Sequence, residues 1–480
     1  MNQPIRRLAT VVALMFLALM VSATSVQFFQ AGALNTDSRN VRTVYREYGR
    51  DRGPIVVAGE SVATSTPVDD VYGYQRSYSP GQLYAHTTGY FSTAFNRLTG
   101  LEQTENEVLN GTSSSLLLQR IQTLVTGQQP QGGAVELTLD PAAQQAAAAA
   151  LGDRKGAVVA LDPGTGAILA MVSSPSFDPN SLATHDREEA EAAWTALNED
   201  PDKPLVNRAI GGDQYAPGSV FKVITAAAAL EADQGTTPDT LVPGPTELSL
   251  PQTSHIIQNP LQRACGDGSG EVPLIIAFRQ SCNTTFAQLA MDMGEETLRA
   301  QAEAFGFGEP LEVPLKVTPS RFPDEPSPPQ LAMSGIGQSD VRVTPMQMAM
   351  VAAAVANDGV QMQPFLVARE LSPDLEVVGT TEPRELRESV TPETADKLTE
   401  MMVEVVANGT GTAAQIPGVQ VAGKTGTAEI SADVSPHAWF LGFAGAEDPE
   451  VAVAVVVENG GDGGTNAGPV ARAVMEAVLR

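Results

Sequence analysis

Basic residues are scarce in this 480-residue chain: 29 Lys and Arg stand against 56 Asp and Glu, a formal net charge of -27. That balance excludes a nucleic-acid partner, which needs basic patches to neutralise phosphates. The acidic residues are scattered rather than gathered in a tail and read as a solubilising surface,. Histidine is scarcer still, with four residues in all. No metal-ligand spacing surrounds His86 or His185, which read as structural,. The chain has no G-x-S-x-G elbow, no H-E-x-x-H and no internal repeat,. Two cysteines permit a single bridge at most,.

One long apolar run is present. Arg6 and Arg7 precede an uncharged stretch over residues 8–29, about the twenty residues that cross a bilayer. Its strongest part, 11–21, also has the length of a signal-peptide core, and Ala31-Gly32-Ala33 resembles a cleavage site,. The length favours a retained single-pass anchor with the N-terminus inside, a cleaved signal being the alternative. Arg39, Arg42 and Arg46 beyond the span weaken the charge asymmetry,. Either way the bulk of the chain is exported. In an oxidising compartment Cys265 and Cys282 are expected to pair, two buried free thiols being the alternative,.

Three parts are expected: a cytoplasmic stub and transmembrane anchor over 1–36, an N-terminal α+β pedestal over 37–150, and a larger domain over 151–480. The pedestal shows short β-type runs (Ile55-Val56-Val57; Tyr84-Ala85-His86), a polar helix over 113–126 and a Gln/Gly/Pro linker over 127–133. Residues 134–139 read as a strand, and Asp140-Pro141 starts an Ala-rich helix to 151,. A hairpin follows, 156–161 and 167–173 around Asp162-Pro163-Gly164-Thr165-Gly166,. A polar, irregular insert then leads to Ser219. Helices are read over 220–231, 274–280, 284–293, 346–356 and 392–406, with a Pro/Thr-rich loop over 236–251. Strands at 419–429, 437–444 and 451–458 precede a closing helix, 469–479. The fold class is therefore α+β, a central antiparallel sheet flanked by helices.

The chemistry-bearing stretch is Tyr215-Ala216-Pro217-Gly218-Ser219-Val220-Phe221-Lys222. Ser219 falls at the start of the 220–231 helix and Lys222 three positions on, on the same face. The helix end favours a developing oxyanion, and a desolvated amine in reach takes the hydroxyl proton. An N-capping serine followed by a snorkelling lysine is the bland alternative. Lysine is rare here, and Lys222 lies in an otherwise uncharged segment. Arginine would better serve a plain ion pair, whereas only lysine loses its proton near neutral pH when buried. With no histidine near Ser219, a Ser-His-Asp relay is disfavoured. Two further stretches matter by their order: Ser281-Cys282-Asn283, then Lys424-Thr425-Gly426-Thr427. Alone, the latter reads as an edge strand with a solubilising lysine.

S-x-x-K, S-x-N and K-T-G in this sequence resemble the penicillin-binding proteins, the acyl-serine transferases that crosslink peptidoglycan and are acylated by β-lactams. Flanking stretches agree: Ala157-Val158-Val159-Ala160-Leu161-Asp162-Pro163, Ile336-Gly337-Gln338 and Ala438-Trp439-Phe440. Arg52-Gly53-Pro54-Ile55 resembles the class B pedestal signature, and chain length and paired cysteines are most similar to the short class B type of actinobacteria. Two departures stand out. The usual D-R-N-G is Val57-Ala58-Gly59-Glu60, and Ser339 replaces a glycine after Gly337-Gln338.

The resemblance implies a serine acyltransferase of penicillin-binding/β-lactamase-like fold, needing no metal or organic cofactor. It implies Ser219 as nucleophile, Lys222 as base, Ser281 as proton relay and Asn283 as a holder of Lys222 and the substrate amide. Lys424 and Thr425 would bind a carboxylate, Gly426 would allow close approach, and the N–H groups of Ser219 and Thr427 would form an oxyanion hole. Expected partners are stem peptides with a D-Ala-D-Ala donor on a lipid-linked precursor, β-lactams, the plasma membrane and a membrane glycosyltransferase of the shape, elongation and division type. A β-lactam sensor, or a hydrolase of carboxypeptidase or β-lactamase type, is the alternative function.

Overall fold

A computed structural model describes residues 3–29, 49–116, 131–233, 235–431 and 433–480. The Ala31-Gly32-Ala33 site, Arg39, Arg42 and Arg46, and most of the helix and linker expected over 113–133 lie outside the described residues. Within that stretch Ser114–Leu116 is a single 3-10 turn.

The apolar run forms the helix Gln3–Thr24, about 33 Å long at 1.5 Å per residue. None of its residues is buried, and the candidate span Gln3–Gln27 has a mean hydropathy of 2.2. Leu14, Phe16 and Leu19 are each more than half exposed, so the rest of the protein leaves this apolar surface uncovered.

The pedestal is built on a six-stranded sheet, in the order Val377–Thr380, Val367–Leu371, Ala134–Leu137, Ile55–Val57, Glu60–Pro67, Tyr74–Tyr78. Ile55–Val57 runs parallel to Ala134–Leu137 and turns antiparallel into Glu60–Pro67. That turn is Ala58-Gly59, both at positive φ (48° and 82°), which the twist of a two-residue hairpin requires. Here the departure from the usual D-R-N-G is accommodated. Arg52 explains the neighbouring motif: its Nε donates to Glu102 Oε2 at 2.5 Å, and Arg76 Nε donates to Glu102 Oε1 at 2.6 Å. Burial by itself would raise the Glu102 carboxyl, but the two guanidiniums outweigh it and hold it below its ordinary range,.

The larger unit centres on a five-stranded, wholly antiparallel sheet, in the order Val421–Ala428, His437–Ala444, Val451–Val457, Gly156–Leu161, Ile168–Ser174. The strand Val451–Val457 is buried along its whole length because both faces are covered. Val453, Val455 and Val457 pack with the helices Pro141–Leu151 and Gly468–Val478. Ala452, Ala454 and Val456 point the other way, into the core shared with Lys222–Ala232 and Pro345–Ala356. Period-2 alternation thus sorts one strand between two cores, each buried valine contributing about 1.5–3 kcal/mol.

Several local expectations are corrected. Tyr84-Ala85-His86 is helical, within Gly81–Thr88. The insert before Ser219 contains the helices Asn180–Ala183 and Arg187–Glu199. The Pro/Thr-rich loop contains two short strands, Leu241–Pro243 and Glu247–Ser249. The helix expected to end at 293 runs as Asn283–Ala304, broken at Gly294. Two strands from beyond residue 360 join the pedestal sheet, and the helix Pro141–Leu151 lies on the five-stranded sheet.

Candidate active site

Pro217 and Gly218 interrupt the chain before Ser219, and the helix begins later than expected. Gly218–Phe221 is a 3-10 turn and the α-helix proper is Lys222–Ala232. Ser219 is half-buried on that turn, and Lys222 opens the helix fully buried. The turn is wedged between two elements. Gly218 sits at φ 56°, where a Cβ would lie 2.8 Å from the Thr427 carbonyl oxygen, and its N–H donates to Gly337 O at 2.8 Å. A Cβ on Gly337 would meet Gly218 O at 2.1 Å, which accounts for glycine in Ile336-Gly337-Gln338. Trp439 Nε1 donates to Ala216 O at 3.1 Å, tying the approach to Ser219 to the sheet. At Gly426 a Cβ would meet Pro217 O, Trp439 Cβ and Val220 Cγ1, each at 3.0 Å.

The lysine side chains converge on Ser281. Lys222 Nζ donates to Ser281 O at 2.7 Å and to Asn283 Oδ1 at 2.8 Å, and lies 3.3 Å from Ser281 Oγ. Lys424 Nζ donates to the same Ser281 Oγ at 2.9 Å and to Thr425 O at 3.1 Å. Ser281 terminates the helix Leu274–Arg279 in the left-handed region, φ 58°, at a cost of about 1 kcal/mol for a residue with a Cβ. Cys282, next in the chain, is bonded to Cys265 with Cα atoms 5.9 Å apart, as expected of an exported chain. Asn283 Nδ2 donates to Gln258 O at 2.9 Å, which fixes the amide so that its oxygen faces Lys222.

Two amines on one hydroxyl, both fully buried, cannot both be charged cheaply. Burial pushes the Lys424 ammonium down to about 7. Burial first, and then the charge of Lys424, push Lys222 well below its ordinary value,. Both effects favour the unprotonated amine of Lys222,.

Lys222, Ser281, Asn283 and Lys424 thus form one hydrogen-bonded cluster, with Ser219 on the same turn as Lys222 and against the Thr427 end of the sheet edge. Sequence reasoning missed three members. The rings of Phe286 and Phe278 lie 5.6 Å from Lys222 Nζ and Lys424 Nζ respectively, and Thr410 Oγ1 lies 2.5 Å from Thr425 Oγ1. Phe286, three residues after Asn283, carried a helical-face signal, whereas Thr410 carried none.

A half-buried serine three residues before a buried lysine whose proton affinity burial lowers, packed on the edge of a five-stranded antiparallel sheet, defines a serine acyltransferase of α+β class. Residues 156–476 match the penicillin binding protein transpeptidase domain and residues 52–135 the penicillin binding protein A dimerisation domain. The chain belongs to the penicillin-binding protein transpeptidase family. It is 44% identical to the peptidoglycan D,D-transpeptidase PbpA of Mycolicibacterium smegmatis, over 100% of this chain and 99% of that protein. The corresponding PbpA of Mycobacterium tuberculosis is 44% identical over the same shares. Among solved structures, the penicillin G acyl-enzyme complex of penicillin-binding protein A from M. tuberculosis superimposes with a TM-score of 0.85 at 44% identity, covering 90% of this chain and 100% of that one.

Proposed function

We propose that this chain is a peptidoglycan D,D-transpeptidase that crosslinks stem peptides through an acyl-serine and is acylated at the same serine by β-lactams. The observation that carries the reading is a fully buried amine, its proton affinity lowered by burial and by Lys424, one helical turn from a half-buried serine.

Ser219 Oγ attacks the carbonyl of the penultimate D-Ala as Lys222 Nζ takes its proton. A neutral amine keeps two N–H groups, matching the contacts to Ser281 O and Asn283 Oδ1, and its lone pair remains for that proton. The N–H groups of Ser219 and Thr427 hold the tetrahedral oxyanion, worth about 3–4 kcal/mol for such a donor set. The C–N bond breaks, and the departing D-Ala amine takes a proton relayed from Lys222 through Ser281 Oγ. Asn283 orients the substrate amide, and the sheet edge takes the donor as an added strand, Gly426 letting the turn that carries Ser219 pack close behind it. Lys424 and Thr425 bind the terminal carboxylate of the donor, or that of a β-lactam. An acceptor amine then attacks the ester carbonyl and gives up its proton to Lys222, which returns a proton to Ser219 Oγ as the C–O bond of the ester breaks.

The helix Gln3–Thr24 anchors the chain in the plasma membrane with its N-terminus inside and the catalytic unit outside. The work belongs to division-linked wall synthesis, beside a membrane glycosyltransferase of the shape, elongation and division type. The test is turnover of lipid-linked pentapeptide with and without an acceptor amine. Crosslinked product from the wild type and none from Ser219→Ala is expected. Hydrolysed tetrapeptide alone would make it a carboxypeptidase, and a single acylation by penicillin without turnover of any stem would make it a sensor.

A further inference from the structure

We propose that a cavity of about 250 Å³ at the junction of the pedestal and the transpeptidase unit is a second binding site, for an anionic saccharide. Its walls come from both sides of the junction: His86, Tyr90 and Arg97 from the pedestal, Phe177, Trp194 and Lys316 from the larger unit. Three aromatic side chains in a small cavity suit a ligand with a flat apolar face, as a pyranose presents. Aromatics are 5% of this chain and tryptophan occurs twice, so their gathering here is not a consequence of composition.

The cations select the charge. In a chain with twice as many acidic as basic residues, a cation ordinarily finds a carboxylate. Of the six lysines, Lys155, Lys203 and Lys397 are ion-paired and Lys222 and Lys424 belong to the Ser281 cluster. Lys316 alone, with Glu312 opposite it across the strand pair Leu311–Glu312 and Lys316–Val317, has no side-chain ion pair or hydrogen bond among the described residues. Arg97 likewise has no carboxylate among them, its guanidinium resting over the Trp194 ring at 5.5 Å. Arg97 and Lys316, both exposed and neither in an ion pair among the described residues, face one cavity and leave room for a carboxylate. His86 adds an acceptor. Its Nε2 is spent on Pro204 O at 2.8 Å, so Nε2 carries the proton and Nδ1 keeps a lone pair for a ligand hydroxyl or amide N–H.

Carboxylates, hydroxyls, amides and a sugar face together describe a muramyl peptide, and this assignment of the source rests on the proposed function. The probes are muramyl dipeptide, digalacturonic acid and neutral di-N-acetylchitobiose, titrated calorimetrically into the full-length Ser219→Ala protein. Either anionic probe should bind at least about tenfold more tightly than the neutral one, and Arg97→Gln/Lys316→Gln should weaken it at least about tenfold. Trp194 fluorescence should report the binding and Trp194→Phe should silence it. Digalacturonate binding without muramyl dipeptide would overturn the peptidoglycan assignment. No anionic binding at about 10 mM, or binding indifferent to the double substitution, would overturn the site. Labelling of Ser219 by a fluorescent penicillin, which the double substitution should leave unchanged, tests the function separately.

Discussion

Replacing Lys424 by Met should move the acid limb of the acylation profile to higher pH. Both amines lie against Ser281 Oγ, at 3.3 and 2.9 Å, which bounds their separation at about 6 Å. At an effective dielectric constant near 20, unit charges that far apart repel by about 3 kcal/mol, or about two pH units in the pKa of the partner. Lys424 holds its proton below about 7, and over that range its charge helps keep Lys222 unprotonated. Methionine keeps the volume and removes the charge, so Lys222 should retain its proton to a pH about two units higher. The second-order rate constant for acylation by a fluorescent penicillin, followed from pH 5 to 9, reports the free enzyme's essential base. Lys424→Met will also lower the rate, because a carboxylate ligand is lost, but the midpoint of the limb does not depend on amplitude. A limb that stays within half a pH unit, or moves to lower pH, would refute the coupling of the two amines.

Four other outcomes are expected. Lys222→Arg keeps a charge yet has no accessible neutral form, so acylation measured by intact mass should fall about 10³-fold; near-normal labelling would remove Lys222 as base. Cys265→Ser/Cys282→Ser opens a ring of sequence separation 17 and should lower the urea-unfolding free energy by about 3 kcal/mol, while slowing acylation because Cys282 lies between Ser281 and Asn283. Ser339 sits at φ 59°, where a glycine is unstrained, so Ser339→Gly should raise stability by up to about 1 kcal/mol; a loss would show that its side chain contributes more than its backbone costs. Burial lowers the His86 imidazole to about 4, so unfolding takes up a proton between pH 4 and the ordinary value. Stability should therefore fall by up to about 3 kcal/mol as pH drops through that window, and His86→Gln should flatten this acid sensitivity in thermal melts.

The reactive groups were legible because their residue types stand out against the composition. With six lysines in 480 residues, Lys222 inside an uncharged segment stands out, whereas Lys424 reads alone as a solubilising edge-strand lysine and is marked only by the order of the three motifs. The five-stranded sheet was legible because its strands are β-branched runs bounded by turn residues. Other elements answer to contacts far along the chain. The aromatic, alanine-containing run Tyr84-Ala85-His86 looks β-like locally. It is helical where Gln144 Nε2 binds Leu83 O and Asn207 Nδ2 binds His86 O, partners over sixty and over a hundred residues away. The pedestal's outer strands, Val367–Leu371 and Val377–Thr380, carry nothing that assigns them to a sheet begun at residue 55. The helix Arg187–Glu199 is a different kind of miss. Asp186 caps it through the N–H groups of Glu188 and Glu189, a signal that was present in the sequence and was outweighed by the segment's polarity.

Ser281 is the element on which the proposed chemistry turns, and the surrounding structure explains why a serine is held there under strain. A hydroxyl has one proton to give and two lone pairs to receive. With the Lys424 ammonium donating to Oγ at 2.9 Å, the hydroxyl proton is directed away from Lys424, and Lys222 Nζ lies 3.3 Å from the oxygen, which keeps a lone pair to receive a donor. Once Lys222 has taken the Ser219 proton, the new ammonium donates to Oγ, and the hydroxyl proton is free to go to a leaving amine. A one-step shuttle of this kind tolerates little displacement of Ser281. Its left-handed backbone, the disulfide at the next residue and the amide of Asn283 pinned by Gln258 together remove the freedom that would let it move. The strain at φ 58° is offset by this bracing, so loosening the bracing should slow acylation even where every reactive side chain is intact.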